Sequence, residues 1–295
     1  MKRKIAHIVN PVVVAPESDL FLAQPIVFET MRAAREAASS AVEVELFSAQ
    51  YQEDRVLVPE FFLPTPDLNR SILDVGSFRK PYKFPLIRDI LDRLYEATDA
   101  EYLIYTNVDI GLMPFFYSFV NDRIEQGYDA FVINRRTLPD RDWRTEDIPQ
   151  MYALIGEAHR GHDCFVFRRD SYPPFKLGNA CIGVPRVGMV LLCNLICQAK
   201  RFEKFKDHHL TFHVGARRQW SNADEFKDYR VHNQNEYHRV LKDYESEGRV
   251  DAHLLFGSLL QEVEESGRRN REEPRSRWRG LWKLSKDFIT RQRAR

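Results

Sequence analysis

Cysteine is scarce in this 295-residue chain, with four in all: Cys164, Cys181, Cys193 and Cys197. They fall in one short region and lack the paired ligand spacing of a zinc knuckle. The plain reading is buried free thiols, which fits a reducing compartment. An excess of charge of one sign is also missing. Lys plus Arg number 44 against 43 for Asp plus Glu, so bulk electrostatics gives no case for nucleic acid. No apolar run is long enough to span a bilayer. The apolar stretch behind Met1-Lys2-Arg3-Lys4 is too short for a signal peptide, and the default expectation is a cytoplasmic protein. There is no internal repeat. The glycines between Gly178 and Gly188 match neither a P-loop nor a dinucleotide fingerprint; they read as a tight backbone approach to a ligand cleft or as a structural turn.

What is present is 43% hydrophobic residues, enough for a real core. The first half alternates strand and helix patterns. Ile5–Val9 reads as a buried strand ending at Asn10-Pro11. Ser18 or Asp19 caps a helix from about Leu20 to Ala38, and Val42–Phe47 alternates as a second strand. A proline-rich loop runs to about Arg70, and Ser71–Val75 is a short strand candidate. Lys83–Ala97 has a helical period. A strand ends in Asn107-Val108-Asp109, a helix runs from Pro114 to about Gln126 with Gly127 as its C-cap, and Tyr128–Asn134 is another buried strand. This order predicts an α/β fold with a mostly parallel central sheet flanked by helices. The second half is looser. It holds strand candidates at Asp163–Phe167 and Leu210–Val214, an apolar helix at Val184–Ala199, and helical patterns at 222–244 and 251–265.

The stretch Glu101-Tyr-Leu-Ile-Tyr-Thr-Asn-Val-Asp109 carries the strongest functional signal. A carboxylate at the C-terminal edge of a buried strand sits where open α/β sheets place ligands. Alternation on an extended backbone puts Asn107 and Asp109 on one side. An amide oxygen and a carboxylate so placed suit a hard divalent cation, which in turn suits a diphosphate. The alternative is a turn that caps the next helix. Arg79, Lys80 and Lys83 precede the helix before this strand, where the macrodipole disfavours cations unless an anion is nearby.

The Asn107-Val108-Asp109 tripeptide resembles a variant of the Asp-x-Asp motif of GT-A glycosyltransferases, with Asn107 in the first Asp position. The resemblance spans roughly residues 4 to 215 and rests on an arrangement of short pieces, with no long diagnostic motif. It implies a GT-A-like domain over 1–220. It also implies transfer of a sugar from a nucleotide-diphosphate donor to an acceptor hydroxyl, on a glycan or a lipid-linked glycan. Val9, Asn10 and Pro11 would then hold the nucleotide, and Arg79, Lys83 and Asn107 would sit near the diphosphate. Asp109 with His213 would bind a divalent cation, manganese or magnesium. Asp163 would be the base that deprotonates the acceptor in an inverting enzyme. Each has a plainer alternative: a strand-ending turn for 9–11, a solvated segment for the cations, a structural histidine for His213, a turn residue for Asp163. Asn107 in place of Asp weakens the implied cation site.

Residues 221–295 read as a helical extension with a basic amphipathic tail. Trp278, Leu281, Trp282, Phe288 and Ile289 form an approximate stripe among Arg and Lys. Such a tail suits peripheral contact with the inner face of an anionic membrane, or docking on the protein's own body. Trp143 reads either as an acceptor-stacking ring or as packing under its loop. The histidines at 208, 209, 213, 232 and 238 lack the local pattern of a zinc hydrolase. A fold that has lost catalysis and kept nucleotide-sugar binding is the non-enzyme alternative. A nucleotidyltransferase ranks lower, because Asn10–Pro16 lacks a glycine-rich basic loop.

Overall fold

A computed structural model describes residues 2–159, 161–206, 208–214 and 223–249. The first strand, β1 (Arg3–Val9), is buried from Ile5 onward and lies inside the sheet, between two neighbours. Helix α1 (Asp19–Ala38) follows, with the Ser18 hydroxyl accepting from the Leu20 N–H as an N-cap does. Its buried Ile26, Val27, Thr30, Met31, Ala34 and Ala38 form the helical stripe that covers one sheet face. Then come β2 (Val42–Ser48), the two-residue β3 (Leu63–Pro64), α2 (Ile87–Ala97), β4 (Tyr102–Thr106), β5 (Ile110–Leu112), α3 (Phe116–Glu125), β6 (Ala130–Ile133) and β7 (Arg136–Thr137). The second half adds α4 (Ile148–Ala153), β8 (Glu157–Ala158), β9 (Cys164–Arg168), α5 (Val187–Gln198), β10 (Phe202–Phe205), β11 (Thr211–His213) and α6 (Lys227–Ser246).

The strands make a seven-stranded sheet in the order β10-β6-β9-β4-β1-β2-β3. Every neighbouring pair is parallel except those of β9, which runs antiparallel to both β4 and β6. The expected α/β class with a mostly parallel sheet is the one observed. A second sheet has the order β5-β11-β7-β8; its β5 and β7 follow shortly after the carboxyl ends of β4 and β6. Its strands are two or three residues long.

Several sequence-derived boundaries move, each for a local reason. Ser71–Val75 is a 3-10 turn over Ile72–Asp74, held by a capping box between Ser71 and Asp74. Helix α2 begins at Ile87 instead of Lys83, because Pro85 keeps the residue before it extended. Arg79, Lys80 and Lys83 therefore lie at least four residues before the helix, outside its first turn, where the macrodipole acts. Strand β4 ends at Thr106, and the Ile110 N–H bonds the Asn107 carbonyl at 3.2 Å to close a turn. Asn107 and Asp109 thus stand on a turn, not on an extended strand. Helix α3 starts two residues after Pro114, at Phe116.

The first compact unit runs from Met1 to Glu247 and takes in α6, which packs on α5. The remaining unit, from Gly248, holds the basic amphipathic tail and the helical pattern at 251–265; both lie outside the described residues. Among the described residues no helix is long and apolar enough to cross a membrane.

Candidate active site

The carboxyl edge of the large sheet sets polar side chains in a row. Strand pairing places Val9 beside Ser48, Ile8 beside Tyr105, Thr106 beside Cys164, and Ile133 beside both Cys164 and Phe205. Continued past the strand ends, these registers line up Ala49, Asn10, Asn107, Asp163, Asn134 and Lys206 across the sheet. Apolar strand interiors thus end in one polar rim, where open α/β sheets bind ligands.

Asp109 and His213, 104 residues apart, meet at this rim. The Asp109 carboxylate Oδ2 lies 3.1 Å from His213 Nε2. The pairing follows from the small sheet: β11 runs antiparallel to β5, setting His213 opposite Ile110, and the Val214 N–H donates to the Asp109 carbonyl at 3.0 Å. A Cβ on Gly111 would meet the Phe212 ring at 2.5 Å, so only glycine lets the two strands close at this point. Asp109 Oδ1 and His213 Nδ1 are buried with no hydrogen-bond partner. Buried polar atoms are rarely left so. Asp109 Oδ2 and His213 Nε2, 3.1 Å apart, are a carboxylate–imidazole donor pair that fits a manganese-like ion, and the unpartnered Oδ1 offers a second oxygen on the same carboxylate. Among the described residues no third His, Cys, Asp or Glu joins them, so the remaining positions of such an ion would fall to phosphate oxygens and water. Asn107 Oδ1 accepts from the Tyr105 hydroxyl at 2.9 Å, which orients the amide. Burial, followed by the Asp109 and Asp163 carboxylates, pushes the Tyr105 phenol upward, so it stays a hydrogen-bond donor.

Asp163 sits at the start of β9, nine-tenths buried. Its Oδ1 accepts from Arg135 Nη1 at 2.8 Å, and its Oδ2 lies 3.5 Å from His159 Nδ1. Burial works to raise this carboxyl; Arg135 first, then His159 and His213, outweigh it and hold it at about 2. Asp163 is therefore ionised, and its weak proton affinity counts against simple general-base duty at neutral pH. Beside it, burial and the nearby Lys204 lower His162 to about 3, so that ring is neutral. Arg135 Nε and His162 Nε2 are buried without partners.

The loop after β1 lies at the other end of the row. Val9 is fully buried, and its carbonyl accepts from the Ala49 N–H at 3.0 Å. Asn10 donates through Nδ2 to the Ala49 carbonyl at 2.6 Å, and Pro11 is buried. Gln24 of α1 bonds both the N–H and the carbonyl of Val12 at 2.9 Å, and Asp54 accepts from the Val13 N–H at 2.7 Å. Burial raises the Asp54 carboxyl.

The basic residues divide. Lys83 pairs with Glu53 at 2.5 Å and lies 3.7 Å above the Tyr51 ring, one residue along the chain from Asp54. Arg79 instead turns to the start of α6, where its backbone N–H donates to Asp228 at 2.7 Å and its guanidinium to the Asp224 carbonyl at 2.5 Å. Lys80 pairs with Glu225. The structure thus brings Asn10, Asn107, Asp109, Asp163 and His213 to one edge, sets Lys83 near the β1 loop, and commits Arg79 to α6.

Trp143 is only 2% exposed and donates to the Pro139 carbonyl at 2.9 Å, so it packs under its loop and does not form an acceptor wall. The Gly178–Gly188 turn is clasped by α6: Asn233 bonds the Cys181 N–H and carbonyl, and Glu236 accepts from the Asn179 N–H. Sequence reasoning missed Arg135, Tyr105, His159 and His162. Arg135 was within reach, since it lies two residues past the end of the buried strand β6. Tyr105 lies inside an apolar run and gives no signal.

No family model matches the chain, and no curated protein matches it. Among solved structures, residues 1–349 of TarS from S. aureus, in complex with UDP-GlcNAc, are similar at 12% identity and a TM-score of 0.46. That match covers 89% of this chain and 78% of the other. Glucosyl-3-phosphoglycerate synthase from Mycobacterium tuberculosis, with Mn2+, UDP-glucose and phosphoglyceric acid, is similar at 11% identity and a TM-score of 0.45, over 80% of this chain and 79% of that one. With both TM-scores below 0.5, the chemistry has to be read from the chain's own residues.

Proposed function

We propose that this protein is a GT-A-like glycosyltransferase that moves a sugar from a nucleotide-diphosphate donor to an acceptor hydroxyl with the help of a divalent cation. The observation that carries this reading is the Asp109–His213 pair at the carboxyl edge, with Asp109 Oδ2 and His213 Nε2 3.1 Å apart and Asp109 Oδ1 buried and unpartnered. Asp109 and His213 would hold the cation, and Asn107, oriented by Tyr105, would donate through its amide to a phosphate oxygen. The loop at 9–11 would cradle the nucleoside through its backbone, with Lys83 at its margin. A bound cation would supply Lewis-acid stabilisation of the departing diphosphate.

In the transfer the sugar's bond to the diphosphate oxygen breaks, and its electron pair leaves with the nucleoside diphosphate. The acceptor oxygen forms the new bond and gives up its proton. Asp163, tied down through Oδ1, would hold the acceptor hydroxyl through Oδ2. With its carboxyl held at about 2, its first task is orientation, and it takes the proton only as the attacking hydroxyl acidifies in the transition state. The test is turnover: Asp109→Ala should cut sugar transfer roughly 10²–10³-fold while the fold stays intact, and turnover close to wild type would sink the assignment.

The alternative, a protein that binds nucleotide sugar without turning it over, is favoured by one feature. Asn107 stands where a second carboxylate would strengthen a cation site. Nucleotide binding without transfer across a broad panel of donors and acceptors would support it.

A further inference from the structure

Beside Asp163 the row holds a group of cationic and neutral nitrogens that the donor reading does not use. Arg135 spends Nη1 on Asp163 and keeps Nε buried and unpartnered, with its side chain 13% exposed. His162 likewise keeps a buried, unpartnered Nε2. Strand β10 brings two ammonium groups to this end of the row: Lys204 pairs with Val132 of β6, and Lys206, two residues on and so on the same face, continues the register beside Asn134. His159 completes the cluster at 3.5 Å from Asp163. The first turn of α5 also packs here: a Cβ on Gly188 would come within 3.0 Å of the His162 carbonyl oxygen. A helix start adds partial positive charge to the arginine and lysines already present. A guanidinium with a buried free N–H, next to an imidazole and ammonium groups, matches a tetrahedral oxyanion better than a neutral hydroxyl compound. The cluster abuts the proposed acceptor position, since Asp163 belongs to both and Asn134 and Lys206 continue the row.

We propose that the acceptor carries a phosphate group, and that Arg135, His162 and Lys206 bind it. This rests on the reading of the Asp163 end of the rim as the acceptor side. Arg135 would supply the fork, His162 a neutral ring nitrogen, and Lys206 a point charge at the outer edge. The acceptor hydroxyl would then be held on Asp163 Oδ2, with its phosphate anchored next door.

The test is equilibrium binding, followed by NMR or calorimetry, of methyl phosphate and dimethyl phosphate to the full-length protein. Wild type should bind at least one of them. Preference for methyl phosphate would identify a phosphomonoester acceptor, and equal or better binding of dimethyl phosphate a phosphodiester one. Arg135→Gln should weaken binding at least tenfold and Lys206→Gln about threefold, while Asp109→Ala should leave it within twofold. Because Arg135→Gln strands a buried carboxylate, the double variant Arg135→Gln/Asp163→Asn, which neutralises the pair, should show the same loss in a well-folded protein. Absence of binding by wild type would overturn the proposal, as would binding that ignores Arg135. Binding lost in Asp109→Ala and kept in Arg135→Gln would assign the anion to the donor side and overturn it as well. A separate UDP titration reports on the donor reading, so the two can fail independently.

Discussion

Asp109 divides its carboxylate between two tasks: Oδ2 fixes the His213 ring at 3.1 Å, and Oδ1 is buried and unpartnered. Removing it should cost roughly 10²–10³-fold in kcat, the scale of losing a group aimed at developing charge. Its side chain is about one-quarter exposed, so a thermal melt should move by only a few degrees. Asn107→Asp supplies the missing carboxylate and keeps the Tyr105 bond; manganese affinity should tighten about five- to tenfold by titration, and an unchanged affinity would mean that residue 107 does not face the cation. His7 gives a pH prediction. Fully buried, it bonds the Tyr117 and Thr106 hydroxyls at 2.9 Å each, and burial lowers it to about 3. Its folded value lies below the ordinary 6.5, so the unfolded chain takes up the proton first as pH falls. The stability it contributes is complete above 6.5 and is lost as pH falls towards 3. Asp163, also depressed, loses its contribution in a lower window, from 3.8 towards 2. Melting temperature should fall steadily from pH 7 to pH 4 in wild type and fall less in His7→Gln; parallel slopes would contradict this. At this scale Asn107, Asp109 and His213 were legible as polar residues at the ends of apolar runs. Their geometry was not: alternation predicted a strand, and a turn delivers Asp109 to His213 instead.

At the scale of elements, α6 clasps the irregular stretch at 176–185. Asn233, fully buried, bonds the Cys181 N–H at 3.0 Å and its carbonyl at 2.8 Å. Asn194 on α5 bonds both the N–H and the carbonyl of Lys176 and accepts from the Tyr244 hydroxyl. These amides replace the ladder partners that the 176–185 stretch lacks. Asn233→Leu leaves a buried N–H and carbonyl unpaired and should destabilise by about 2–6 kcal/mol in urea unfolding, at about 1–3 kcal/mol for each stranded group. A change below about 1 kcal/mol would show that α6 is not the clasp. Long periodic elements such as α1 were legible almost to the residue, with Ser18 marking the start. Strand β11 lies inside the strand expected at Leu210–Val214, but β5, β7 and β8 were not legible, because two or three residues cannot display a period of two and their pairing is non-local. The expected strand at 71–75 failed because Ser71 and Asp74 satisfy the backbone locally.

Over the whole molecule, one sheet edge gathers chemistry from residues spread between Asn10 and His213. The single reversed strand, β9, starts at that edge where its neighbours end. That reversal puts Asp163, the residue before a strand, in line with Asn107 and Asn134, the residues after strands. The α/β order was readable from alternating periods. The reversal was not, since a short buried strand looks the same in either direction. The most direct test of the central claim is a calorimetric titration of wild type and Asp109→Ala with UDP and GDP, with and without manganese. Manganese-dependent binding of one nucleotide, lost in Asp109→Ala, is the predicted result. Binding indifferent to both manganese and Asp109, or no binding of either nucleotide, would contradict it.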